Sequence, residues 1–306
     1  MGCAMIAIML FHQQFFTDNL LIRGFHLFGY WGVDVFLLIS GLGIISSLQR
    51  NTTKQYFKNR ANRLVPTCLF VGLSKYLLMQ AGFINFAAYN DNAALIITEL
   101  SMWYIYAIVV YYILAPLIYR LLQRYKFRVV VGACLLSFLL SYIPFESSSY
   151  YLVSRASMVV ERLPVFVLGM YLGLYPTSKL SPRAIIGYGL IPLIVAVTTR
   201  LTAFPGYERA LYLALTFAAP ALCLIAASAG RWAHTIRLDG VVGYFGRLSL
   251  QFYLWHGFVF LNLNEHSMFA EFDVWTKFMI AMAITVIFSH ATHSIIGLLS
   301  PIIKLK

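Results

Sequence analysis

Ten long apolar segments follow one another along the chain of 306 residues, with short polar connections between them. Most are near the ~20 residues that a helix needs to cross the hydrocarbon core of a bilayer. Only 11% of the residues are charged, against roughly 25% in a soluble domain. Because no connection is long enough for a soluble domain, we predict an all-α, polytopic membrane bundle formed by one domain, residues 1–306. The segments are 1–16, 29–49, 64–84, 95–120, 128–145, 156–175, 183–200, 208–230, 244–263 and 274–299.

The basic residues are concentrated on alternate connections. A net charge of +12 would suggest a nucleic-acid partner on a soluble protein. Here, however, fifteen Lys and Arg residues lie on one set of connections and at the C-terminus, while the other set holds four, together with most of the acidic residues. This positive-inside pattern predicts that both termini are cytoplasmic and that the partner is membrane lipid, not nucleic acid. The fifteen residues are Arg50, Lys54, Lys58, Arg60, Arg63, Arg120, Arg124, Lys126, Arg128, Lys179, Arg183, Arg231, Arg237, Lys304 and Lys306.

The cysteines do not indicate a metal site. All four lie within apolar segments, where a free cysteine behaves as a small hydrophobic residue. Metal-binding spacings such as Cys-x-x-Cys are absent from the sequence, so we expect no metal.

Ionisable side chains recur at one depth of the predicted bundle. Given this topology, they fall in the outer halves of five segments, with aromatic residues beside them. Ionisable residues in a bilayer are costly and are by default functional, so we predict one hydrated polar cavity that opens outward. For any one of them, such as Asp34 or His256, a role in holding helices together stays open. The set is His12, Asp34, Glu99, Trp103, Tyr104, Glu161, Arg162, Tyr253 and His256.

An arginine pair and a set of small residues form two further patterns. Arg60 and Arg63 are three residues apart, so on a helix they share a face that suits a phosphate, although ordinary cytoplasmic anchoring by positive charge stays open. The small residues Gly43, Gly169 and Gly173 are interpreted as helix-packing positions.

The chain resembles the membrane-bound acyltransferase-3 family. These are bacterial-type enzymes that O-acylate sugars and other cell-surface molecules. The resemblance spans nearly the whole chain. It is carried by Leu-Phe-His12, by Asp34-Val-Phe-Leu-Leu-Ile-Ser40-Gly41, by Arg60-x-x-Arg63-Leu-Val-Pro66, by Trp103-Tyr104, by Arg162-Leu-Pro164 and by Tyr253-Leu-x-His256.

The resemblance implies an acyl-coenzyme A donor, usually acetyl, a glycan hydroxyl as acceptor, and the bacterial plasma membrane as location. It implies that His12 is catalytic. With it we predict three groups of site residues: catalytic His12, Asp34 and Glu161; donor-binding Arg60, Arg63, Ser40 and Gly41; and acceptor-binding Glu99, Trp103, Tyr104, Arg162, Tyr253 and His256.

His12 would act as general base on the acceptor hydroxyl. Asp34, Glu99 or Glu161 would fix its tautomer, and the spacing does not decide which. A covalent acyl-enzyme on His12 is an alternative.

Two other readings of the whole chain stay open: a transporter or flippase for a polar lipid or glycan, and an inactive, truncated relative. The family carries Arg or Lys eleven residues before the histidine, and Met1 stands there. We therefore expect either that the first helix is truncated or that the protein lacks this basic residue.

Overall fold

The computed structural model describes residues 1–12, 29–81, 103–143, 156–176, 181–202, 207–265, 269 and 271–303. Throughout these ranges the regular structure is helical, with eleven helices and no strand. The helices are α1 (Gly2–His12), α2 (Trp31–Arg50), α3 (Thr53–Gln80), α4 (Trp103–Tyr125), α5 (Arg128–Leu140), α6 (Ala156–Leu174), α7 (Pro182–Thr202), α8 (Tyr207–Thr235), α9 (Asp239–Arg247), α10 (Ser249–Glu265) and α11 (Val274–Ile303).

The all-helical prediction is confirmed for this part of the chain, and each of the ten apolar segments overlaps a helix. Six of the described helices, α2, α4, α6, α7, α8 and α11, are long and apolar enough to cross a membrane. Helices α1 and α5 are apolar but shorter, and the first turns of α3 carry the basic residues between Lys54 and Arg63. The protein is therefore multi-pass. The number of ten spans and the cytoplasmic termini stay predictions.

The chain divides into two compact units. The first comprises Met1–Gly32, Lys58–Met102 and Trp232–Lys306, and the second comprises Val33–Phe57 and Trp103–Arg231. Each unit has its own buried apolar side chains, and each is described separately below.

In the first unit, one face of the short helix α1 is buried. Ala4, Met5, Ile8 and Met9 have no exposed surface, and α1 packs against α9 and α10. The contact with α9 is close because Gly2 has no side chain: a Cβ there would lie 2.9 Å from Cγ1 of Val242. This packing holds the C-terminal end of α1, and with it His12, against α10.

Helix α11 completes the first unit by packing along α10. Its start is capped by Asp273, whose Oδ1 accepts the backbone N–H groups of Trp275 at 2.9 Å and Thr276 at 3.1 Å. The Thr276 hydroxyl also donates to this carboxylate, and these bonds lower the pKa of Asp273. Farther along, the Trp255 indole N–H donates to the Thr292 hydroxyl at 2.9 Å.

In the second unit, α2 and α6 meet backbone to backbone. A Cβ on Gly41 would lie 2.8 Å from the backbone nitrogen of Met170, and one on Gly169 would lie 3.0 Å from Cα of Leu38. The packing predicted for Gly169 and Gly173 is confirmed, since a Cβ on Gly173 would lie 3.0 Å from the Leu42 carbonyl oxygen. The packing predicted for Gly43 is wrong. A Cβ there would meet nothing within 4 Å, because Gly41, two positions away, occupies the contact face.

Candidate functional site

His12, the last residue of α1, has its tautomer set by its own helix. Its Nδ1 lies 2.9 Å from the Ile8 carbonyl oxygen. A carbonyl oxygen can only accept a hydrogen bond, so Nδ1 carries the hydrogen, and in the neutral ring Nε2 carries the lone pair. The sequence predicted that a carboxylate would hold this nitrogen. The structure gives that role to the Ile8 carbonyl, because a histidine side chain at a helix end reaches the carbonyl one turn back.

A second imidazole lies against His12. The ring centroids of His12 and His256 are 4.8 Å apart, and the ring planes are inclined at 76°. His256 is 1% exposed, and its Nδ1 donates to the carbonyl oxygens of Phe252 at 3.0 Å and Tyr253 at 2.7 Å. Its Nε2 therefore also carries the lone pair, and this atom has no hydrogen-bond partner among the described residues.

The ring of Tyr253 also lies beside His256, with centroids 5.4 Å apart, and Tyr253 is 5% exposed. The structure thus brings together three residues that were predicted for the site, His12, Tyr253 and His256. They form a histidine pair flanked by a buried phenol. The half-buried ring of His12 can take and return a proton, and the enclosed ring of His256 can accept a hydrogen bond.

A buried lysine, which the sequence analysis did not single out, lies next to this pair. Lys75 of α3 is 3% exposed, and its ammonium group donates to the Leu254 carbonyl at 2.7 Å. The same group lies 5.6 Å from the Trp255 ring centroid and 5.0 Å from that of Phe258. Lys75 is the one charged residue in the apolar segment 64–84, so the rule that selected His12 would also have found it.

The arginine pair lies near the other end of α3. Arg60 is half-buried and Arg63 is exposed, and their spacing of three places both on one face. Lys75 lies fifteen residues beyond Arg60, or ~22 Å at 1.5 Å per residue. Two guanidinium groups on one face fit a phosphate-bearing ligand, and α3 leads from them to the level of the histidine pair.

In the second unit, a separate polar cluster is centred on Arg162. Its Nη1 lies 2.8 Å from Oδ1 of Asp34, and the two side chains are 5% and 2% exposed. The guanidinium also lies 5.0 Å from the Trp103 ring centroid and 4.7 Å from that of Tyr212. The pair links α6 to α2, which is the helix-holding role that the sequence left open for Asp34. Tyr212 was not predicted, because one tyrosine among twenty in an apolar chain carries no signal.

The remaining predicted residues take varied positions. Tyr104 packs near Phe36 with ring centroids 6.4 Å apart, and Glu161 and Ser40 are half-buried. Gly41 contacts the backbone of α6, and this close packing explains why a glycine stands there. Its donor-binding role stays a prediction. Glu99 lies outside the described residues.

The fold and these side chains define a class: a multi-pass helical membrane protein with a pair of imidazoles in contact, of which His256 is buried and His12 is half-buried. A family model described as an acyltransferase domain matches residues 2–293. The chain therefore belongs to the membrane acyltransferase-3 family and is an integral membrane acyltransferase. No curated protein and no solved structure matches it.

Proposed function

We propose that this protein is an O-acyltransferase of the bacterial plasma membrane that moves an acetyl group from acetyl-coenzyme A to a hydroxyl of a cell-surface glycan. The observation that carries the proposal is the geometry of His12. Its Nδ1 hydrogen is directed to the Ile8 carbonyl, so the neutral ring offers the Nε2 lone pair as a base. Acyl transfer to a hydroxyl needs such a base.

The chemistry requires one proton acceptor that becomes a proton donor. His12 Nε2 removes the hydroxyl proton as the oxygen forms a bond to the thioester carbonyl carbon. The carbon–sulfur bond then breaks, and the imidazolium returns the proton to the departing thiolate. The products are the O-acetyl ester and free coenzyme A, and His12 is again neutral.

Helix α3 carries the residues that we propose bind the acyl donor. Coenzyme A carries its phosphates at one end and its thioester at the other, joined by an extended chain. Arg60 and Arg63 suit the phosphates, and Lys75 on the same helix contacts α10 two residues before His256. The phosphate end of the donor thus has basic partners on α3, and the same helix leads to the level of the histidine pair.

Membership of an acyltransferase family favours this function over the transporter that the sequence left open. The test incubates purified protein with radiolabelled acetyl-coenzyme A and candidate glycans. We expect labelled ester with the natural chain. His12→Ala should lower transfer by ~10²–10⁴-fold, the usual contribution of a general base.

A matched control is His293→Ala, since His293 is exposed on α11 of the same unit. It should leave transfer unchanged. Undiminished transfer by a folded His12→Ala variant would contradict the mechanism, and substrate movement without ester formation would favour the transporter.

A further inference from the structure

We propose that the turn between α4 and α5 binds the headgroup of an anionic phospholipid, whose acyl chains lie along the exposed faces of these two helices. The site belongs to the second unit. It is independent of the acyl transfer proposed above, because the histidine pair and the arginine pair of that proposal lie in the first unit.

The first observation is a cavity at this turn. It measures about 380 Å³, which is within the range of roughly 300–1,000 Å³ for small-ligand sites. Of the six residues that line it, three are basic, two are aromatic and one is aliphatic. They are Arg124, Tyr125, Lys126, Phe127, Arg128 and Val131. Such a lining favours an anionic ligand with phosphate or carboxylate oxygens.

The three basic side chains are exposed and available to that ligand. The Arg124 guanidinium carbon lies 5.1 Å from the Tyr125 ring centroid, and in the described part of the chain none of the three basic residues is paired with a carboxylate. Lys126 has a φ of 51°, in the left-handed region where glycine fits with less strain. A lysine there brings a positive charge into the turn at a conformational cost.

Contacts with α6 hold the turn in place. The rings of Phe127 and Tyr171 meet edge to face with centroids 5.3 Å apart. The Tyr175 hydroxyl donates to the Leu122 carbonyl at 3.2 Å, and both α4 and α5 pack against α6. The cavity is therefore preformed, which lowers the entropic cost of binding a ligand.

Exposed apolar side chains continue from the cavity along both helices. They are Leu117 and Leu121 on α4 and Val131, Leu135 and Leu139 on α5. In each helix they recur every four residues, so they share one face. A phospholipid joins a phosphate to two acyl chains, so one molecule can fill the cavity and cover these faces. A water-soluble phosphate compound has no part that matches the apolar faces.

The predicted orientation of the chain agrees with this ligand. The charge pattern predicts that the turn after α4 lies on the cytoplasmic side of the membrane. Anionic phospholipids of the cytoplasmic leaflet attract Lys and Arg residues near the membrane surface.

The experiment measures lipid binding to the purified full chain in a neutral detergent by native mass spectrometry. The probes are phosphatidylglycerol and phosphatidylcholine, each with two oleoyl chains. We expect the natural chain to bind the first phosphatidylglycerol at least about tenfold more tightly than phosphatidylcholine. Combining Arg124→Gln, Lys126→Gln and Arg128→Gln should remove most of this preference and change phosphatidylcholine binding little, since the acyl chains are the same.

A matched control removes three basic residues of the same unit that do not line the cavity. It combines Arg50→Gln, Arg183→Gln and Arg231→Gln, all at exposed positions, and should keep the preference for phosphatidylglycerol. If the triple cavity variant does not fold, its three single substitutions take its place. Each should lower the affinity for phosphatidylglycerol by roughly fivefold.

Equal affinity of the natural chain for the two lipids would overturn the proposal, and so would equal losses in the cavity variant and the control. Inorganic phosphate and coenzyme A serve as competitors, because they distinguish a lipid from a soluble phosphate compound. Neither should displace phosphatidylglycerol at concentrations near that of the lipid. Displacement by either would overturn the lipid assignment, because the cavity would then bind a soluble phosphate group. All these outcomes concern binding alone, so the proposed acetyl transfer is tested separately.

Discussion

At the scale of single residues, Asp34 and Arg162 show how the second unit tolerates two charges in an apolar interior. The two side chains meet at 2.8 Å, and Trp103 and Tyr212 cover the guanidinium with their rings. Either charge alone would be strongly unfavourable there, because burial removes its hydration. The pair is therefore a coupled unit, and substitutions should reveal that coupling.

We predict that Asp34→Leu or Arg162→Met alone lowers the free energy of unfolding by ~3–5 kcal/mol, since each leaves an uncompensated buried charge. The double variant should lose much less than either single variant, because an apolar pair of similar volume replaces the ion pair. Thermal unfolding of the four proteins in detergent measures this cycle. Losses that simply add would contradict the coupling.

Much of the candidate site follows from one rule applied to the sequence: ionisable residues in apolar segments are functional or paired. The rule selected His12, Asp34, Arg162 and His256, and applied fully it also selects Lys75. It could not reveal that Ile8 holds His12 or that the two histidine rings touch. Those contacts depend on side-chain rotation and on the packing of α1 against α10, which spacing does not encode.

For the helices, the apolar segments were predictable because a helix in lipid hydrogen-bonds its backbone polar groups within itself. A spanning segment therefore appears in the sequence as a continuous apolar run. The positions at which the helices begin and end were harder to predict. The basic stretch before Arg63 was read as a connection, yet α3 begins at Thr53 and runs through it as one helix. The separate helix α9 was also missed, because it is short and amphipathic and ends at Arg247, directly before α10.

The close approach of α2 and α6 leads to a prediction at this scale. Gly41→Ala should lower the free energy of unfolding by ~1–3 kcal/mol, because the new methyl group meets the backbone of α6, which cannot move aside as a side chain could. Gly43→Ala is the matched control on the same helix and should be neutral or slightly stabilising, since its methyl group meets open space. Thermal unfolding in detergent compares the two. Equal melting temperatures would contradict the backbone contact.

At the scale of the whole molecule, the charge distribution determines orientation in the membrane. Arg124 at the end of α4, Lys126 in the turn and Arg128 at the start of α5 are basic, whereas the residues before α11 include Glu271 and Asp273. Lys and Arg are retained on the cytoplasmic side during insertion, so these two connections should lie on opposite faces. That orientation is what the proposed function needs, because acetyl-coenzyme A is cytoplasmic and the glycan acceptor is at the cell surface.

We predict that cysteines introduced at Gln123 and Glu271 are labelled from opposite sides. Both residues are exposed, and neither substitution removes a basic residue. The four native cysteines would first be replaced by alanine, which is compatible with their apolar positions. A membrane-impermeant maleimide should label Glu271→Cys in spheroplasts and Gln123→Cys only in inside-out vesicles. Labelling of Gln123→Cys in intact spheroplasts would contradict the predicted orientation.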